Sequence, residues 1–129
     1  MSGLQYAAYW NREVRVAKQQ GQLLPGTFDM LILKALSLGP MHGWGVADRI
    51  ERLSDGVCTV PQGAVYPALQ RVLRQGWATA QWRTTDNQRR ARYYALTASG
   101  RAQLKREAAW WQRMTAGIEA VLRASAREV

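Results

Sequence analysis

The sequence predicts a mainly α-helical chain with one small β-hairpin. Apolar residues recur at helical spacing in a series of segments that glycine and proline separate. A single later stretch instead alternates polar and apolar residues on both sides of a polar turn. With 129 residues, of which 47% are hydrophobic, the chain is long enough for one compact domain and short enough to gain from dimerisation.

The first predicted helix covers residues 3–20, is amphipathic and ends at Gly21. It is too small to be stable alone and needs a partner surface, on this chain or on another copy. The second predicted helix covers residues 28–38 and is apolar on nearly all sides, so we expect it to be buried. Thr27 is its predicted N-cap, and Asp29 in its first turn complements the helix dipole.

Two further helices follow. One is predicted to open at Met41 and to run to about Leu53, with His42 at its start as a hydrogen-bonded structural residue. The next covers residues 62–74 and contains Pro67, which we expect to kink or loosen its first turns. Gly76 is its predicted C-terminal glycine. Its apolar face consists of Val65, Leu69 and Val72.

Residues 77–83 and 89–96 alternate as two strands around the polar segment 84–88, with Tyr94 and Leu96 predicted to face inward. Three short helices followed by such a hairpin are the order of a winged helix-turn-helix. We therefore predict three parts: an N-terminal helical extension (1–22), a winged-helix DNA-binding domain (23–96) and a C-terminal dimerisation helix (97–129).

The last helix is predicted to begin after Thr97 and to end near Arg123. Its apolar residues are spaced 4, 3, 4, 3, 4, which is the a/d seam of a coiled coil. The seam consists of Leu104, Ala108, Trp111, Thr115, Ile118 and Leu122. A helix with so broad an apolar face after a complete winged helix predicts a homodimer.

Charge points to an acidic partner. The formal net charge is +9, arginine dominates the basic residues, and between Gln62 and Tyr94 the only acid is Asp86. Opposite its apolar face, the helix of residues 62–74 carries donors and a stacking ring, which suit the DNA major groove but also fit an ordinary surface helix. The predicted DNA-binding residues are Gln62, Gly63, Ala64, Tyr66, Pro67, Gln70, Arg71 and Arg74 on the helix, and Asn87, Gln88, Arg89, Arg90 and Arg92 on the hairpin.

Other classes of protein are disfavoured. One cysteine, Cys58, and one histidine, His42, provide neither an intramolecular disulfide nor a zinc site. We find no paired carboxylates, no nucleophile–base arrangement and no phosphate-binding glycine loop, so we expect no enzyme and no cofactor. No apolar run approaches ~20 residues and no signal peptide is recognisable, so we expect a cytoplasmic protein without a membrane partner.

The ordered motifs of the chain resemble those of the PadR family of bacterial transcription regulators, in the branch with a single C-terminal helix. The matching segments are G-T-F-D-M-L-I-L-K-A-L at 26–36, H-G-W-G at 42–45, Y-P-A-L-Q-R at 66–71, G-W at 76–77 and R-A-R-Y-Y-A-L-T-A-S-G at 90–100. The resemblance implies a homodimeric repressor that binds a palindromic operator in double-stranded DNA and that a ligand releases. Ala64 and Leu73 depart from the pattern, where the family usually has a hydroxyl residue and Glu, and the N-terminal extension is longer than common.

A small aromatic ligand is the predicted effector. Trp111 is on the a/d row, so its indole would face its own copy across the dimer axis and could enclose a flat apolar or cationic guest. In some multidrug-responsive family members a tryptophan on this helix has that role. Trp110, Met114 and Trp10 are the other predicted lining residues. The alternative is that both helix tryptophans only fill the core, and the alternative for the whole chain is a winged-helix protein-interaction module without sequence-specific DNA binding.

Overall fold

The computed structural model describes residues 27–129, which form four helices and three strands. The helices are α1 (Phe28–Ser37), α2 (Gly43–Leu53), α3 (Gln62–Arg74) and α4 (Ala98–Arg123). The strands β1 (Met41–His42), β2 (Ala78–Thr84) and β3 (Arg90–Leu96) form one antiparallel sheet in the order β1–β3–β2. A short 3-10 turn, Ala126–Glu128, follows α4. The predicted helix over 3–20, with Trp10, lies outside the described residues.

Helices α1, α2 and α3 enclose the core together with the base of the sheet. The prediction that α1 is buried is confirmed on its core side, where Ile32, Leu33 and Leu36 are almost fully inaccessible. The predicted apolar face of α3 is buried against them. The buried residues of α3 are Val65, Ala68, Leu69 and Val72. Burial of this single face leaves the opposite side of α3 to solvent.

Helix α3 ends at Gly76, as predicted. The residue has φ of 76°, a left-handed conformation that glycine adopts without a Cβ penalty. The Gly76 amide donates to the Leu73 carbonyl at 3.0 Å, and the Trp77 amide donates to the Val72 carbonyl at 3.1 Å. This pair of bonds is a Schellman motif, which satisfies the last carbonyls of the helix. It fixes the direction in which the chain enters β2.

The predicted start of the second helix at Met41 is wrong, because Met41 and His42 form strand β1. They pair with Tyr94 and Tyr93 of β3, so the sheet has three strands and not two. Helix α2 starts at Gly43, and His42 is its N-cap: its Nδ1 accepts a hydrogen bond from the Gly45 amide at 3.0 Å. The structural role predicted for His42 is therefore confirmed.

The hairpin is confirmed, with β2 shifted one residue along the chain from its predicted bounds. Ala78 pairs with Leu96 and Ala80 with Tyr94, so these four side chains share one face of the sheet. Tyr94 is only 3% exposed, and Leu96 packs against the core. The inward register predicted from the alternation is thus correct at the base of the hairpin.

Helix α4 is joined to the rest of the fold at Thr97, the predicted N-cap. The Thr97 hydroxyl oxygen accepts from the Gly100 amide at 3.0 Å and its hydroxyl donates to the Gly76 carbonyl at 2.8 Å. The Thr97 amide also donates to the Trp77 carbonyl at 2.9 Å. One residue therefore connects the start of α4 to the end of α3.

The predicted seam of α4 has two parts in the structure. Leu104, its first member, is partly buried and packs against the core of its own domain. From Trp110 onward the apolar stripe of α4 is exposed. Its exposed members are Trp110, Trp111, Met114, Ile118, Val121 and Leu122. Among residues 27–129, no helix is long and apolar enough to cross a membrane.

Candidate nucleic-acid interface

The outer face of α3 carries the side chains that the sequence analysis assigned to DNA. Tyr66, Gln70, Arg71 and Arg74 are exposed, as are Gly63 and Pro67, whereas Ala64 is half-buried. Gln62 is the first residue of the helix. Because the opposite side of α3 is fixed in the core, this face has a defined orientation, which a reading surface requires.

Arg71 does not stand alone on this face. Its Nη2 donates to Asp29 Oδ1 at 2.8 Å and its Nε donates to Asp29 Oδ2 at 3.3 Å, which makes a two-bond ion pair between α3 and the first turn of α1. The hydrogen bond that Arg71 donates to Asp29 raises the pKa of the Arg71 guanidinium, against a smaller opposite effect of burial. Asp29 thus pairs with Arg71 in addition to its predicted interaction with the helix dipole. Nothing in the sequence indicated this pair.

Tyr66 lies on the other flank of α3, where it packs over the start of α2. A Cβ added at Gly43 would approach Cε1 of the Tyr66 ring to 2.8 Å and Cδ1 of Leu69 to 3.2 Å. The missing side chain at Gly43 therefore makes room for the Tyr66 ring, which is still 54% exposed. Gly43 therefore supports this surface. From the sequence it was recognised only as part of the H-G-W-G motif.

The β2–β3 hairpin, with the turn between its strands, is the wing. Asn87, Gln88, Arg89, Arg90 and Arg92 are all exposed on it. The Thr85 amide donates to the Arg89 carbonyl at 2.6 Å, and the Arg89 amide donates to the Thr85 hydroxyl at 3.2 Å. Gln88 has φ of 63°, which closes the turn. The tip is therefore a hydrogen-bonded loop that projects its basic side chains outward.

Three arginines of the wing lie over aromatic rings of the same sheet. The Arg90 guanidinium is 5.6 Å from the centre of the Trp82 ring. Arg83 lies 5.4 Å from the Tyr93 ring and Arg92 lies 6.0 Å from the Tyr94 ring. Cation–π attraction of this kind restrains a long side chain without neutralising its charge. Trp82 and Arg83 were not among the predicted site residues.

Tyr94 links the base of the wing to the core in which α3 packs. Burial raises the pKa of the Tyr94 hydroxyl; the charge of Arg92 lowers it, and Tyr66 raises it. The Arg92 guanidinium lies 6.0 Å from the centre of the Tyr94 ring. Tyr94 belongs to the same buried core as Val65 and Leu69 of α3, so one predicted wing residue lies over a ring of the core that also fixes α3.

Three of the four residues predicted for ligand binding lie on α4, and the fourth, Trp10, is outside the described residues. Trp111 is 36% exposed, and Trp110 and Met114 are more exposed. The Thr115 hydroxyl donates to the Trp111 carbonyl at 3.0 Å. Within residues 27–129, no cluster of three or more metal-ligating side chains occurs.

Comparison with known families gives a match to the transcriptional regulator PadR-like family over residues 32–106. This range begins within α1 and ends within α4, so it covers the winged helix and its junction with α4. No curated protein matches the sequence.

Solved structures with the same fold include several named as transcriptional regulators. A PadR family regulator from Eggerthella lenta is 23% identical, with a TM-score of 0.68, covering 92% of this chain and 99% of that chain. A PadR-like regulator from Bacillus cereus is 20% identical, with a TM-score of 0.69 and coverages of 79% and 97%. Bacillus subtilis PadR in complex with operator DNA is 20% identical, with a TM-score of 0.56 and coverages of 62% and 45%.

Proposed function

The chain belongs to the PadR-like family of transcriptional regulators, and on that premise we propose that it is a homodimeric repressor that binds a palindromic operator. The observation that carries the DNA proposal is the exposed, basic surface of α3 and of the wing. In it Gln70, Arg71 and Arg74 share a face with Tyr66, and the wing adds further arginines. Such donors match the acceptors of base edges and phosphates.

In this proposal α3 enters the major groove and the wing lies on the adjacent backbone or minor groove. Tyr66, Gln70 and Arg71 contact bases, while Gln62 and Gly63 at the start of α3 lie near phosphate. Arg89 and Arg90 contact phosphates or the minor groove. Helix contacts then determine sequence preference, and wing contacts determine affinity that is common to all sequences.

The test is selection of binding sites from random duplexes, followed by titrations of the selected site and a scrambled duplex at several salt concentrations. Arg71→Ala is expected to cost about 1–3 kcal/mol on the selected site. Arg89→Ala is expected to weaken both duplexes alike and to flatten the salt slope by roughly one unit. Arg127→Ala, which removes an exposed charge beyond α4, is the matched control. A chain that selects no site would instead be a protein-interaction module.

A second copy of the chain is the proposed occupant of the exposed stripe of α4. Trp110 and Ile118 are each 52% exposed on a helix whose only buried residue is Gly100, and together with their neighbours they form one apolar strip. Monomers in solution rarely expose a contiguous strip of this kind. Two such helices related by a two-fold axis cover each other's strips and set two copies of α3 side by side.

Dimerisation is tested by light scattering on a variant with Ile118→Glu and Leu122→Glu. Charges in the strip should give monomers or insoluble chain, because the apposed charges would lose solvent. The control carries Ala116→Glu and Ala120→Glu, which add the same charge on the opposite side of α4. A wild-type chain that is monomeric at micromolar concentration would contradict the proposal and leave a palindromic operator without a basis.

A flat aromatic ligand between the α4 helices is the proposed effector. Trp111 lies where the strip emerges from the domain, with Trp110 and Met114 beside it. Indole rings stack on flat guests, and a methionine adapts to their shape. A ligand that binds one spacing of the two subunits better than the other shifts operator affinity by that difference.

The effector proposal is tested by titrating a panel of flat aromatic cations while following tryptophan fluorescence and operator binding. Saturable quenching that disappears in Trp111→Ala, together with weakened operator binding in the wild type, is expected. Trp44→Ala, at an exposed tryptophan of α2, is the control and should retain the response. No response to any member of the panel would leave Trp111 as a packing residue of the dimer.

A further inference from the structure

Trp82 on strand β2 is a large apolar side chain that the core does not use. It is 62% exposed, although it lies on the same face of the sheet as Ala78 and Ala80. The core extends along that face only as far as the pair Ala80–Tyr94. Two residues further along the hairpin, the indole therefore projects beyond the edge of the core.

The neighbours of Trp82 show which surface it belongs to. It pairs across the strands with Arg92, which lies over the Tyr94 ring on the same face. Tyr94 is itself a member of the buried core to which α3 contributes Val65 and Leu69. Trp82 is thus on the side of the wing that faces the helices, and not on the opposite face with Gln81.

The guanidinium of Arg90 lies over the Trp82 indole. Arg90 lies 5.6 Å from the ring centre, and its side chain is itself exposed. A partner for this pair must offer apolar surface next to negative charge. The wall of a DNA minor groove does so, because apolar deoxyribose rings alternate there with phosphates.

We propose that Trp82 packs against deoxyribose rings of the minor groove beside each half-site, which makes operator affinity depend on groove width outside the bases that α3 reads. The inference rests on the proposed DNA-binding function. It adds to that function a residue, Trp82, that recognises the shape of the DNA. Sequence-dependent groove width gives preference at positions that no side chain reads directly.

An apolar contact of this kind predicts a particular pattern of effects. Burying roughly 40–80 Å² of indole surface corresponds to about a five- to thirtyfold change in affinity. No charge is lost in Trp82→Ala, so the salt slope of operator binding should stay that of the wild type. Trp82→Phe keeps an aromatic ring at the site and should recover part of the affinity.

The experiment measures operator binding by wild type, Trp82→Ala, Trp82→Phe and the control Gln81→Ala, an exposed change on the opposite sheet face. Each is titrated on the selected operator with A·T-rich or G·C-rich flanks, and hydroxyl-radical footprints record which flanking sugars are protected. We expect Trp82→Ala to lose affinity, flank preference and flank protection together, with an unchanged melting temperature and salt slope.

Two results would overturn the inference while wild-type binding still supports the DNA-binding proposal. One is a Trp82→Ala protein with wild-type affinity, flank preference and footprint. The other is a Trp82→Ala protein whose salt slope falls as in Arg90→Ala, because the indole would then act only by holding a phosphate-binding arginine. A wild type that binds no duplex would instead remove the DNA-binding proposal itself.

Discussion

Asp29→Asn is the change that best tests how Arg71 works on the surface of α3. Asparagine has nearly the shape of aspartate, so the substitution removes the charge and one acceptor without opening a cavity. In the free chain Asp29 holds Arg71 through two hydrogen bonds of 2.8 and 3.3 Å. The Arg71 side chain nevertheless remains 47% exposed, so it can still reach a partner in solution.

The expected size of the effect follows from how far the Asp29–Arg71 ion pair orders the Arg71 side chain. Because both side chains are partly exposed, screening limits the contribution of the pair to folding stability to about 0.2–1 kcal/mol. Ordering a long side chain on binding costs about 0.5–1.5 kcal/mol. Arg71 avoids this loss on binding DNA because Asp29 already orders it in the free chain. Without Asp29, the ratio of operator to scrambled-duplex affinity should therefore fall by about two- to twelvefold.

The two duplexes are expected to respond in opposite directions. Removal of an acid from a basic surface strengthens attraction to any phosphate backbone, so scrambled-duplex affinity should rise slightly. Operator affinity should fall because Arg71 is no longer oriented for its base. The assay is fluorescence anisotropy on both duplexes at one salt concentration, with urea unfolding to measure stability.

The double variant completes the test. In an Arg71→Ala background, Asp29→Asn should no longer lower the operator-to-scrambled ratio, because the group that Asp29 orients is absent. If Asp29→Asn alone strengthens operator and scrambled duplex equally, Asp29 competes with DNA for Arg71, and the reasoning is refuted. An unfolding free energy that changes by several kcal/mol would show that the pair is mainly structural.

Three further predictions concern the fold. Gly100→Ala should destabilise the chain by about 1–3 kcal/mol in urea unfolding, because its Cβ would collide with the Trp77 carbonyl oxygen; an unchanged midpoint would contradict that contact. Since burial raises the Tyr94 pKa above 10.0, stability from this group is complete below pH 10 and is lost at higher pH. Tyr94→Phe should therefore melt with less pH dependence above pH 10 than the wild type, and an identical loss would refute this. Leu69→Ala, fully buried, should cost about 2–5 kcal/mol, measured by urea unfolding against the exposed control Gln70→Ala.

Periodicity was sufficient to predict most of the fold. The stripe of α3 and the alternation around Tyr94 both reflect burial on one side, which a sequence records residue by residue. Thr97 and Gly76 were recognisable because a cap or a left-handed residue requires particular side-chain chemistry. Strand β1 was not recognisable, because two residues cannot display an alternation and His42 belongs to both the strand and the helix cap.

The candidate site was harder to predict because its most informative contacts are distant in sequence. Asp29 and Arg71 are 42 positions apart, and the signal of each was already explained locally, by the helix dipole and by a basic helix face. For Trp82, alternation assigns a side of the sheet but cannot tell where the core ends along the strand. The exposure of its indole therefore emerged only from the packed structure.

The hydrogen bonds from Thr97 to Gly76 and Trp77 attach the start of α4 to the end of α3. Any tilt of α4 relative to the domain therefore pivots about this point. The helix has 26 residues and is thus about 39 Å long. A tilt of about 5° at the pivot moves the far end by about 3 Å, and a sideways shift of that size at the far end rotates the pivot by the same angle. Because Thr97 is bonded to both Gly76 and Trp77, such a rotation would act on the C-terminal end of α3 and the start of β2. Two hydrogen bonds at Thr97 and the packing of Leu104 thus couple the direction of α4 to the orientation of the proposed DNA-reading helix.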